Sequence, residues 1–93
     1  MTGTETEYVS AASQALLRVV DELSRRPLDP VPLADLVESM GESRDRVFRS
    51  LKNLEAADWV EQCPGGWRLA PAIVQVSERM RVAIAEAHRR YLT

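Results

Sequence analysis

The sequence predicts a mainly α-helical domain that carries one small β-hairpin. Three observations lead there. Apolar residues recur at three- and four-residue steps in four separate segments. A glycine-bearing turn, Gly41-Glu42-Ser43, joins the second segment to the third. Two short strand-like runs flank Cys63-Pro-Gly-Gly66. With 93 residues there is room for one domain. A composition that is 45% hydrophobic and 28% charged excludes a disordered or fibrous chain.

Residues 1–7 (Met-Thr-Gly-Thr-Glu-Thr-Glu) lack large apolar side chains and are expected to form a flexible tail. From Tyr8 a helical period appears, with Val9, Ala12, Leu16, Val19, Val20 and Leu23 on the inner side. Arg25 and Arg26 suit the negative end of that helix, and Pro27 stops it. Pro27, Pro30 and Pro32 make the next stretch an extended connector, with at most a short strand at Val31. A second helix is expected from Leu33 to Met40, ended by Gly41. Ser43 is a good N-cap for a third, from Arg44 to about Ala57, with Val47, Leu51 and Leu54 inward. Asp58 stands where left-handed backbone is needed, which Asp tolerates better than most residues. Trp59 to Gln62 and Trp67 to Leu69 read as the hairpin strands, with at least one tryptophan packing the hairpin onto the core. Pro71 opens a last helix that runs to the C-terminus.

Two helices joined by a short glycine-bearing turn have the form of a helix-turn-helix, and a hairpin directly after makes it winged. The expected organisation is a tail over 1–7, a winged helix-turn-helix over 8–70 and a C-terminal helix over 71–93. The physical logic of such a unit is that its second helix fits a DNA major groove about 12 Å wide. The third helix of this chain has side chains suited to a groove. Arg44, Arg46, Arg49, Ser50, Lys52 and Asn53 are expected on its outward face, with Ser43 and Asp45 at its start. Arg and Asn bond guanine and adenine edges, whereas Lys and Ser suit phosphates. In the short wing, Arg68 is the candidate for a phosphate or minor-groove contact.

Charge is unevenly distributed along the chain. The net charge is −2, yet residues 1–43 hold three basic against eight acidic side chains, and residues 44–93 hold nine against six. Screening over about 8 Å makes the local balance matter more than the total. Asp45 at the helix start repels phosphate, though a carboxylate also accepts from a cytosine amino group.

The residues also carry a family resemblance. Leu33-Ala-Asp-Leu-Val-Glu-Ser-Met-Gly41 followed by Arg44-Asp-Arg-Val-Phe-Arg-Ser-Leu-Lys-Asn-Leu-Glu-Ala-Ala-Asp-Trp-Val60 resembles the N-terminal DNA-binding domain of IclR-type transcriptional regulators. The likeness extends forward to Gly66-Trp-Arg-Leu-Ala-Pro71 and back to Ala15-Leu-Leu-Arg-Val-Val-Asp-Glu-Leu23. It implies a winged-helix fold, a dimer, and recognition of double-stranded operator DNA. It also marks Arg49, which follows the aromatic residue of the family pattern (Phe48 here), as the foremost DNA contact. The chain departs from the pattern at Asp45 and Arg46, where small hydroxyl residues are usual, and at Asp58, where glycine is usual. No effector-binding domain follows before Thr93, so the chain is expected to act without one of its own.

On the last helix, Ile73, Val76, Met80, Ala83, Ala87 and Tyr91 form a seam expected to hold a homodimer. Other chemistry finds little support. One cysteine (Cys63) and one histidine (His88) are too few for a zinc site or a nucleophilic triad. No carboxylates pair as an acid/base couple, so no enzyme, cofactor or metal is expected. No apolar run spans a membrane and no secretory signal opens the chain, which makes a cytoplasmic address the default. The competing reading is a winged-helix module that binds a protein partner, or inhibits a DNA-binding one; the acidic first half, with Glu42 and Asp45, keeps it open.

Overall fold

The structure, a computed structural model, describes residues 8–92. The expected tail over 1–7 lies outside the described residues. The order of elements is α1 (Ala11–Ser24), α2 (Leu33–Met40), α3 (Arg44–Ala56), β1 (Val60–Cys63), β2 (Gly66–Leu69) and α4 (Pro71–Leu92). This is the mainly helical architecture with one hairpin that the apolar spacing predicts.

Helix α1 starts where the Ser10 hydroxyl accepts from the Ser13 backbone N–H at 3.0 Å. Its buried row is Ala15, Val19 and Leu23, with Leu16 and Val20 half-buried beside it. The expected inner row began too early. Val9 precedes the N-cap and is exposed, as is Ala12, because the core arc begins only one turn into the helix. Helix α2 buries Leu36 and Met40 and ends at Gly41, whose φ of 64° is the left-handed stop expected there. The Arg18 guanidinium reaches across from α1 and donates to the Met40 carbonyl, one of the free acceptors at this helix end.

Ser43 caps α3, its hydroxyl accepting from the Arg46 N–H at 3.2 Å. Asp58 takes φ 62° at the other end. Around it the Trp59 N–H donates to the Leu54 carbonyl and the Asp58 N–H to the Glu55 carbonyl, both at 2.9 Å. That pair of bonds is a Schellman ending with aspartate in the place glycine usually takes.

Strands β1 and β2 pair antiparallel, from Val60 opposite Leu69 to Cys63 opposite Gly66, leaving Pro64 and Gly65 as a two-residue turn. Pro presets the first turn position, and Gly65 supplies φ 98° at the second. The connector then ties the hairpin down. Val31 exchanges both backbone hydrogen bonds with Trp67, at 2.8 and 2.9 Å. The approach is so close that a Cβ on Gly66 would lie 2.3 Å from the Val31 carbonyl oxygen. Trp67 is buried in one core with Val19, Leu23, Val31, Leu36, Met40, Val47, Leu51, Leu54 and Val60, and Trp59 packs against it half-exposed.

Helix α4 leaves this body. Its 22 residues reach about 33 Å at 1.5 Å per residue. Ala72 and Ile73 are half-buried where it departs, and every residue from Val74 to Tyr91 is exposed. It does not fold back on α1.

Burial on this pattern sorts substitutions sharply. Leu51→Ala is expected to cost about 2–5 kcal/mol of stability, because Leu51 is fully enclosed. Val82→Ala on α4, by contrast, is expected to stay within about 0.5 kcal/mol. Thermal or urea unfolding of the two variants checks this. Equal losses would contradict the separation of core from projecting helix.

Candidate nucleic-acid interface

The inner side of α3 is occupied by Val47, Ser50, Leu51 and Leu54, so the opposite side is left to solvent. Arg44, Asp45, Arg49, Lys52 and Asn53 lie there, all exposed, and Arg46 is half-exposed at its margin. These are the residues expected outward, with one exception. Ser50 is buried, its hydroxyl donating to the Arg46 carbonyl at 2.9 Å. A serine inside a helix satisfies its hydroxyl by bonding one turn back, and a small polar residue at the edge of the apolar arc does so at little cost. Periodicity alone does not separate such a serine from an outward one.

Most of the cationic charge on α3 is already partnered. Asp45 and Arg49, one turn apart, meet at 3.0 Å. Lys52 meets Glu55 at 2.6 Å, and Arg46 lies 3.7 Å from Glu42 in the preceding turn. Arg44 alone among the α3 cations has no carboxylate partner among the described residues. The face is therefore more nearly neutral than a count of its arginines implies. These pairs are cheap to open: Asp45 is 71% and Arg49 76% exposed, and such surface pairs contribute about 0–1 kcal/mol. Asp45 also sits in the first turn, where a negative charge is favoured by the helix dipole. Asn53 donates to the Arg49 carbonyl at 2.8 Å, leaving its side-chain oxygen free to accept.

Two features carry no signal in the sequence. A shallow groove runs between the start of α1 and α3, with Ala12, Ser13 and Leu16 on one wall and Asp45, Arg46, Arg49 and Asn53 on the other. Contacts between separate helices leave no trace in residue spacing. Phe48 is the second; it flanks the inner row in sequence, yet is 44% exposed.

In the wing, Arg68 stands directly opposite Glu61 and donates to its carboxylate at 2.7 Å. That hydrogen bond raises the Arg68 pKa above its ordinary value, so the guanidinium stays charged. Cys63 is half-buried, its thiol donating weakly to the Gly66 carbonyl at 3.6 Å. On α4, Val76, Met80, Ala83, Ala87 and Tyr91 of the expected seam are exposed, and Ile73 is half-buried. Arg81 on the same helix donates to Glu78 at 2.6 Å and holds that carboxylate below the usual range. Among the described residues no group of three or more His, Cys, Asp and Glu is placed to hold a metal, and no helix is long and apolar enough to cross a membrane.

No family model and no curated protein matches the sequence. The structure is similar to the crystal structure of an IclR transcriptional regulator from Alicyclobacillus acidocaldarius, with a TM-score of 0.73 and 25% sequence identity. The match covers 88% of this chain and 36% of that one, so this chain spans little more than a third of the regulator it resembles. The glycine turn between α2 and α3, the hairpin anchored by Trp67 and this similarity together give the chain a winged helix-turn-helix fold similar to part of that IclR transcriptional regulator.

Proposed function

We propose that this chain is a sequence-specific double-stranded-DNA-binding module of a transcriptional regulator, with α3 lying in the major groove. The exposed side of α3 carries the reading: Arg44, Asp45, Arg49 and Lys52 share one solvent face of a helix held from behind by α1 and α2. A helix is about 10–12 Å across, which suits a groove about 12 Å wide. Arg49 takes a base edge or a desolvated phosphate. Arg44 and Lys52 meet phosphates, Ser43 and Arg46 border the backbone at the helix start, and Asn53 offers its amide oxygen. Arg68 brings the wing to the flanking backbone. The similar protein is a transcriptional regulator, which agrees with this reading.

The α4 seam is proposed to join two copies. Ile73, Val76, Met80, Ala83, Ala87 and Tyr91 follow one side of the helix, half-buried at Ile73 and exposed from Val76 onward. A second copy would remove that stripe from water and set two α3 helices on one face of DNA, about one helical turn apart.

Three outcomes are expected. Log affinity for duplex DNA falls with log salt by about 0.9 per phosphate neutralised, and Arg49→Ala loses about 1–3 kcal/mol of binding. A response flat in salt, with Arg49→Ala equal to the parent, would transfer the face to a protein partner. Asp45→Ala is expected to strengthen binding to all duplexes, since it removes a repulsion and frees Arg49. Weaker binding with one base position relaxed would show instead that Asp45 accepts from a cytosine. In sedimentation the parent is expected to be a dimer at tens of micromolar, and Met80→Glu a monomer. A monomeric parent, or a dimer indifferent to that charge, refutes the seam.

A further inference from the structure

Phe48 is the chain's single phenylalanine, and the core is complete without it. It stands 44% exposed at the margin of the α3 outer face. With Leu33 from the start of α2, and with Arg44 and Asp45 one turn earlier on α3, it lines a shallow depression open to solvent. The apolar part of this depression is made by Phe48 and by the half-buried Leu33. Its cation, Arg44, is the one on α3 with no carboxylate partner among the described residues. An apolar surface beside an uncompensated arginine suits a ligand that offers a methyl group close to an anion.

Double-stranded DNA offers that combination at one kind of base. In the major groove thymine alone presents a methyl group; guanine, cytosine and adenine offer hydrogen-bonding groups and no apolar feature larger than a ring C–H. Phe48 and Leu33 have no donor or acceptor side-chain group, so a polar edge pressed against them would lose its water partners without replacement. A thymine methyl loses nothing there. We infer that Phe48, backed by Leu33, selects a thymine through its 5-methyl group while Arg44 holds a neighbouring phosphate. The inference rests on α3 being the groove-entering helix, and it adds a base preference at one named residue.

The test uses the full chain and a duplex selected by the parent from a random pool. Each thymine of that duplex is replaced singly by deoxyuridine, which removes only the methyl. One replacement in each half-site is expected to weaken the parent about three- to tenfold, the effect of burying one methyl. Phe48→Ala is expected to bind more weakly, keep the salt dependence, and be indifferent to that replacement. Phe48→Leu, still apolar, is expected to keep part of the penalty. Because Phe48 lies outside the core, the helical circular dichroism of both variants should match the parent. A parent that binds DNA with the expected salt slope but tolerates every deoxyuridine overturns this inference and leaves the DNA-binding reading standing. So does a Phe48→Ala variant that retains the same penalty. If Phe48→Ala leaves all duplex binding unchanged, the depression serves another partner and the inference falls. A parent that binds no duplex overturns both.

Discussion

Val47, Leu51 and Leu54 are removed from water by α1, α2 and the first hairpin strand, and this decides which side of α3 remains outside. Everything proposed about the molecule descends from that burial. The helix has a single apolar arc, so fixing the arc inward orients Arg44, Asp45, Arg49 and Lys52 without further contacts. The bonds that Val31 exchanges with Trp67 close the other end of the same core. They explain why a three-proline connector and a four-residue strand, each too short to be stable alone, hold one geometry.

Electrostatics on the outer face follow from helical spacing. Asp45 and Arg49 are four residues apart, as are Glu42 and Arg46, so each of these two arginines finds a carboxylate close by in the chain. At more than two-thirds exposure the Asp45–Arg49 pair is held by a fraction of the energy that a charged ligand offers. Such pairs lower the idle field of the face and leave the cations available to an anion. They also set a threshold: a weak or distant negative charge does not displace the partner already in place.

The projecting α4 belongs to a fold whose core is built without it. The ten residues of the core cluster, Trp67 and Leu51 among them, include none from the 22-residue α4. Pro71 starts the helix at the wing's end, and from Val74 onward its side chains meet solvent. Its apolar stripe is thus a property of the single chain that the single chain does not use.

Element type and order were legible in the sequence because they depend on local chemistry. Proline and glycine positions, the Ser43 cap, the left-handed Asp58 and the apolar periods of α2 and α3 each act within a few residues. The edges of burial were not legible. Val9 and Ala12 fit the period of α1 yet lie outside the core, and Ser50 fits a polar outer face yet is enclosed. Periodicity locates the centre of a buried arc; its width depends on what packs against it. Phe48 belongs to the same class, next to the inner row in sequence yet 44% exposed. Which charges stand paired was settled one level higher, since of the four α3 cations only Arg44 has no carboxylate within ion-pair distance among the described residues. The sequence by itself determined the helices, the turn, the hairpin and the residue types on α3. The tertiary structure alone decided which of those side chains are paired, buried or open, because that depends on contacts between segments far apart along the chain.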